Sequence, residues 1–172
     1  MKILIIILFA LNTVIAQTTA NASMSVTLIP VTRLDLNNRT TFSLSLVAPT
    51  EAGNQLSNTA TNNGKWLNFT SAVAPGVTRR ITGHISGTIP PGINVNLALS
   101  AASGSGSGAR GTPVATTTFT NSAQTIINGI AGAITGNKAN GYQLTYSLSI
   151  ADYSLMRSNS TLMTIVYTII DN

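Results

Sequence analysis

The stretch GYQLTYSLSI, residues 141–150, constrains the fold more than any other part of this chain. Its apolar residues are Tyr142, Leu144, Tyr146, Leu148 and Ile150, and polar residues separate them. A period of two places these side chains on one face of a β-strand, whereas a helix would scatter them around its circumference. The same alternation recurs in SMSVTLI (23–29), TFSLSLV (41–47) and GINVNLALS (92–100). The sequence therefore predicts an all-β protein.

Turn-forming residues separate the alternating stretches. Gly, Pro and Asn supply the backbone angles that reverse a chain. They are concentrated in APTEAGN (48–54), NNGK (62–65), APGV (74–77), IPPG (89–92) and TGNKANG (135–141). Short strands divided at roughly even spacing by such turns are typical of a sandwich or a barrel.

One segment, residues 121–134, fits either a helix or a strand. Ile126, Ile130 and Ile134 lie four residues apart, which suits one face of a helix. Two glycines between them would weaken that helix by about 1 kcal/mol each. The same isoleucines also fall on one face of a strand, and β-branched residues favour strands, so we prefer the strand interpretation.

The first residues have the features of a secretory signal peptide. Lys2 precedes a nine-residue apolar run, 3–11, and Ala16 is a small residue suited to a cleavage site. The run is too short to span a bilayer. We therefore expect a signal peptide at 1–16 and a mature chain, 17–172, that forms one domain and has no membrane span. The expected location is the bacterial periplasm, cell surface or extracellular space.

Composition argues against several classes of function. Only 8% of the residues are Asp, Glu, Lys or Arg, and the basic residues are scattered, with only Arg79 and Arg80 adjacent. Nucleic-acid binding usually needs a clustered basic face, so we expect none. The chain contains no cysteine, which rules out disulfides and thiolate metal sites.

Residues suited to catalysis are few. His84 is the single histidine, and no G-x-S-x-G nucleophile elbow accompanies it. The acids are Asp35, Glu51, Asp152 and Asp171, none in a recognisable catalytic or calcium-binding setting. We expect no enzyme activity, no cofactor and no metal.

Two other features invite a binding function. The glycine-rich stretch SAASGSGSGARGTP, 100–113, has a G-x-G-x-x-A spacing, but Pro113 and its neighbours cannot begin the helix that a dinucleotide site needs. We interpret it as a flexible hairpin tip. Trp66 and the tyrosines suggest a carbohydrate platform, yet Tyr142 and Tyr146 share the apolar face of their strand, so core packing is the better interpretation for them and for Trp66.

The stretch TLMTIVYTIIDN, 161–172, is apolar almost throughout. One face of the predicted strand carries Met163, Ile165, Tyr167 and Ile169, and the other mixes threonine with aliphatic residues. Such a strand fits the middle of a sheet, with both edges paired. It also fits the border of a groove, with one edge left for a partner.

The mature chain, with NASMSVTLIPV near its start and MTIVYTII near its end, resembles bacterial fimbrial subunits of the chaperone–usher type and other surface β-sandwiches. The resemblance implies an immunoglobulin-like antiparallel β-sandwich of about 7–9 strands. It also implies that an N-terminal segment, within 17–31, fills the groove of a neighbouring subunit by strand addition. The residues that it would assign to strand exchange are Met24, Val26 and Leu28 in the donor, and Met163, Ile165, Tyr167 and Ile169 at the groove.

These observations favour a non-enzymatic secreted or surface structural protein, a fimbrial subunit that assembles by β-strand pairing. Its partners would be other copies or other surface subunits, with a periplasmic chaperone during export. The alternative is an extracellular adhesin module that binds carbohydrate or a host surface. The alternating segment at 23–29 could equally be the first strand of a complete sandwich.

Overall fold

The computed structural model describes residues 20–57 and 60–172 and shows two antiparallel sheets packed face to face. The prediction of an all-β antiparallel sandwich is therefore confirmed. The strands are β1 (Val31–Asn37), β2 (Thr61–Ala72), β3 (Arg79–Ser86), β4 (Ile93–Leu99), β5 (Ser107–Gly108), β6 (Thr112–Pro113), β7 (Thr116–Phe119), β8 (Gln124–Ile130), β9 (Ala133–Ile134), β10 (Tyr142–Ile150) and β11 (Thr164–Asp171). The predicted signal peptide lies outside the described residues.

Helical structure in the described ranges is limited to two 3-10 turns, Lys138–Asn140 and Tyr153–Leu155. No helix within those ranges is long and apolar enough to cross a membrane.

The larger sheet has the order β5-β9-β2-β10-β4-β7, and β1 lies off this path and also pairs with β2. Its centre is β10, whose Tyr146 pairs with Leu97 in β4 and with Asn62 in β2. The tyrosines and leucines of β10 are buried while its serines and threonine are only partly covered. The alternation in GYQLTYSLSI thus arises as predicted, because one side of β10 faces the core and the other faces outward.

The smaller sheet has the order β11-β3-β8-β6. Every residue of β11 from Thr164 to Asp171 pairs with β3, from Ser86 to Arg79. Among the described residues, no strand pairs with the opposite edge of β11. Of the two arrangements that suit its sequence, the structure therefore has the one with an open edge.

The inner faces of both sheets form one apolar core. Its fully buried members include residues from each sheet, such as Leu67, Leu97 and Leu144 from the larger and Ile81 and Ile126 from the smaller. Tyr142 and Tyr146 are also buried, as their shared strand face indicates.

The ambiguous segment at 121–134 forms strands, as preferred. It crosses from one sheet to the other, because β8 belongs to the smaller sheet and β9 to the larger. Ile126 and Ile130 are buried, but Ile134 is exposed. The even spacing of the isoleucines therefore does not describe one continuous face.

Two expectations about turns were wrong. NNGK lies inside β2, where the register with β10 shifts, because an irregular ladder accommodates the glycine without ending the strand. The glycine-rich stretch is not a loose hairpin tip. It supplies β5 to one sheet and β6 to the other, and a Cβ on Gly104 would lie 2.2 Å from the Asn140 side chain. The glycines permit close packing between chain segments.

Two of the alternating stretches are not strands. Residues 20–30 are exposed throughout and belong to neither sheet. Residues 41–46 also lack strand structure, although Phe42, Leu44 and Leu46 pack against the core. Alternation fixes which side chains share a face, but a strand also needs a neighbour that accepts its backbone hydrogen bonds.

Candidate strand-acceptor cleft

An open cleft of about 940 Å³ lies between the two sheets. Its floor includes Val95, Tyr146 and Leu148 from the inner face of the larger sheet, and Ile85 contributes from the smaller sheet. We call this feature the acceptor cleft. It is bordered on one side by residues 39–46 and on another by residues 156–165 together with Tyr167.

Two irregular segments form two sides of the acceptor cleft. Neither residues 39–46 nor residues 156–163 form a strand, and both line the cleft. The cleft continues to Thr164, the first residue of β11, and no described strand pairs with the second edge of β11. An apolar groove beside an unpaired strand edge is the arrangement that accepts an added β-strand.

Of the four residues that the resemblance would assign to a groove, three line the acceptor cleft. Met163, Ile165 and Tyr167 contribute to the acceptor cleft, and all three are half-buried against the core. Ile169 also packs on the core but does not line the cleft, because it lies further along β11. Near that far end, Arg79 connects β11 to β1 by bonding both Asp171 and the carbonyl of Val31.

The predicted donor residues lie outside the acceptor cleft of their own molecule. Met24, Val26 and Leu28 are 84%, 68% and 89% exposed. Isolated exposed apolar residues are ordinary, but a run with strand alternation and no covering surface is not.

The sequence does not indicate how the segment at residues 39–46 is held at one side of the acceptor cleft. The ring of Phe42 lies 4.9 Å from that of Tyr146, measured between centroids. Lys65 is only 3% exposed, and its Nζ donates to the carbonyl of Asn38 at 2.8 Å and to that of Thr40. The same ammonium stands 5.1 Å from the Phe42 ring centroid. Burial lowers the pKa of Lys65 below its ordinary value. The alternation in TFSLSLV marked this segment, but nothing in the sequence paired it with Lys65.

Two tyrosine hydroxyls connect the sheets at the floor of the cleft. The hydroxyl oxygens of Tyr146 in β10 and Tyr167 in β11 are 2.5 Å apart. Burial raises the pKa of Tyr146 to about 12, and burial followed by the neighbouring Tyr146 raises the pKa of Tyr167 as well. The pair is held neutral because an ionised phenol there would be desolvated.

This pair predicts a loss of stability at alkaline pH. Both folded-state pKa values lie above the ordinary value of 10, so the stabilisation is complete below pH 10 and is lost as pH rises through about 12. We expect the free energy of unfolding to fall by about 2 kcal/mol over that window because of Tyr146. Urea unfolding at a series of pH values measures the change. The unfolding free energy of the variant Y146F/Y167F should depend less on pH than that of the wild type, and that of Y153F should depend on pH as the wild type does. An equal pH dependence in the wild type and both variants would contradict the assignment.

The other residues that could carry chemistry are dispersed. Asp35 pairs with Arg39 on the surface, and Asp152 accepts from the backbone and hydroxyl of Ser154, which lowers its pKa. Among residues 20–57 and 60–172, no three His, Cys, Asp or Glu side chains come together as a metal site. His84 is half-buried on the outer side of β3, as expected for a strand histidine.

Trp66 is not inside the sandwich, contrary to expectation. Its neighbours Lys65 and Leu67 are buried, so the alternation of β2 places Trp66 on the outer face, where it is half-buried. Its cross-strand partners there are Asn37 and Gln143.

Comparison of the sequence with protein-family models gives no match, and comparisons with curated proteins and with solved structures give none either.

Proposed function

We propose that this protein is an exported, non-enzymatic structural subunit that assembles with further copies by β-strand pairing. The acceptor cleft of one copy receives the segment 20–30 of another. The observation that carries the proposal is the coexistence, in one chain, of an uncovered segment with strand alternation and a cleft with an apolar floor, beside a strand edge that no described strand pairs.

The donor segment suits insertion because it carries no charge. No Asp, Glu, Lys or Arg occurs between residues 20 and 30. Its alternate side chains, Met24, Val26 and Leu28, can enter a groove while Ser25 and Thr27 face outward. Burying this segment therefore removes apolar surface from water, and the segment itself brings no ionised group into the cleft.

The edge of β11 supplies the backbone half of the interaction. An added strand would accept and donate hydrogen bonds along an edge that no other strand covers among the described residues. Side chains give such a contact its specificity, and backbone bonds give it much of its strength. The scarcity of surface charge also means that copies repel one another little.

The triple variant M24S/V26S/L28S tests this function. We expect wild-type protein to self-associate with increasing concentration and the variant to remain monomeric. Removing three buried apolar side chains should weaken association by at least about a thousandfold. Light scattering coupled to size-exclusion chromatography measures the mass.

The matched control is S25T/T27S, which changes the intervening hydroxyl positions and keeps the apolar ones. It should associate like the wild type. Association of the triple variant at wild-type strength, or a wild-type protein that stays monomeric at every concentration, would contradict the proposal.

A further inference from the structure

Two segments of this chain carry the same side-chain pattern. SMSVTLI at 23–29 and TFSLSLV at 41–47 both read hydroxyl, apolar, hydroxyl, apolar, hydroxyl, leucine, β-branched aliphatic. Their environments differ. The first is exposed along its whole length, whereas the apolar residues of the second, up to Leu46, are half-buried in the acceptor cleft.

The second segment is held by side chains and not by a β-ladder. Among the described residues, no backbone–backbone hydrogen bond involves residues 41–46, and the first one after them joins Val47 and Ser57. Packing of Phe42 on Tyr146 and the two hydrogen bonds from Lys65 to the carbonyls of Asn38 and Thr40 fix its position.

A segment with the same pattern could hold the acceptor cleft more firmly if it also formed a ladder. Within residues 20–57 and 60–172, the backbone groups of residues 41–46 have no backbone partner, and no strand pairs with the second edge of β11, which borders the same cleft. A strand that places its apolar residues in the same cleft and pairs with that edge gains hydrogen bonds that residues 41–46 do not make. Residues 23–29 of a second copy meet this description.

We propose that residues 41–47 are an internal placeholder, and that residues 23–29 of a second copy displace them from the acceptor cleft. The inference rests on the proposed function and adds to it the step by which the cleft is opened. In the single molecule the placeholder covers apolar surface that would otherwise face water. In the assembly the incoming strand covers it, and residues 41–47 move outward.

Thiol labelling tests the displacement directly, because the chain contains no cysteine. L44C is introduced into the M24S/V26S/L28S background, which keeps the acceptor cleft free of other copies. The half-buried thiol should react slowly, and a synthetic peptide of residues 21–31 should raise its labelling rate by about tenfold or more, since the peptide competes for the site that shelters it. L97C in the same background is the control, since Leu97 is fully buried in the core, and it should stay unreactive with and without peptide.

A second variant, at a position outside residues 41–47, weakens the attachment of the placeholder to the acceptor cleft. Lys65→Met removes the two hydrogen bonds to the carbonyls of Asn38 and Thr40. In the same background it should bind the 21–31 peptide about tenfold more tightly, because bonds from a charged donor no longer oppose displacement. Lys138→Met, at an exposed lysine in a 3-10 turn, should leave the affinity unchanged. Fluorescence anisotropy of a labelled peptide measures both.

The outcomes separate the two proposals. Peptide binding with unchanged or slower labelling of L44C means that the strand inserts beside residues 41–47, which overturns the placeholder and leaves strand assembly standing. Unchanged or weaker peptide affinity in Lys65→Met overturns the placeholder too. Absence of peptide binding in every variant overturns both.

Discussion

Replacing Arg79 by methionine is expected to lower the free energy of unfolding by about 3 kcal/mol, because several hydrogen bonds from one buried, charged donor are lost together. Arg79 is 6% exposed. Its Nε donates to Asp171 at 2.6 Å, and its Nη1 donates to the carbonyl of Val31 at 2.6 Å and to Ser71 at 3.2 Å. One guanidinium therefore joins β1 and β2 of the larger sheet to β3 and β11 of the smaller.

The adjacent arginine provides the control. Arg80 is less buried, and its Nη1 donates to the Asn172 side chain at an exposed position, 3.0 Å away. Arg80→Met should change stability by no more than about 0.5 kcal/mol, as surface substitutions usually do. Urea unfolding followed by circular dichroism gives both values. Equal losses at the two positions would show that Arg79 does not act as the connection between the sheets.

Gly108→Ala should destabilise the protein by about 3 to 5 kcal/mol, the largest effect expected from a single methyl group in this chain. Gly108 has a φ of +82°, which disfavours any residue with a Cβ. A Cβ there would also lie 2.1 Å from the carbonyl oxygen of Gly132 and 2.9 Å from the Cα of Ala133. Backbone atoms of β9 and the residue before it would have to move.

Gly129→Ala separates the two causes. Gly129 has a φ of +75°, and nothing lies within 4 Å of its added Cβ. Gly129→Ala should lower the free energy of unfolding by about 1 to 2 kcal/mol, which is the cost of a left-handed backbone conformation alone. Thermal and urea unfolding of both variants measure the difference. A Gly108→Ala loss as small as that of Gly129→Ala would mean that the glycine-rich stretch is loosely attached, as its composition suggested.

The contrast between β10 and the glycine-rich stretch explains which parts of the fold were predictable. In β10 the period of two follows from local geometry, since neighbouring side chains of a strand point to opposite faces. The glycine-rich stretch has no such periodic pattern from which its structure could be predicted. Whether Gly108 serves a flexible tip or a close approach to Gly132 depends on residues more than twenty positions away, and composition is the same in both cases.

Trp66 and the candidate site follow the same division. The alternation in TLMTIVYTIIDN predicts one apolar face with Met163, Ile165, Tyr167 and Ile169, and the structure places the first three, but not Ile169, in the lining of the acceptor cleft. The sequence did not identify Lys65, whose role depends on carbonyl groups of Asn38 and Thr40 brought to it by β1. It placed Trp66 inside, since an apolar side chain in a short strand does not reveal which face its neighbours bury.

By itself the sequence determined the all-β class, the side chains that share the core face of β4 and of β10, and the absence of disulfides. Only the tertiary structure decided which alternating stretches became strands. Residues 23–29 and 41–47 have one pattern, yet neither is in a sheet, while β10 with the same kind of pattern is central. The physical reason is that alternation is a property of one segment, whereas a β-ladder needs a second backbone at hydrogen-bonding distance, and the fold supplies that backbone to some segments only.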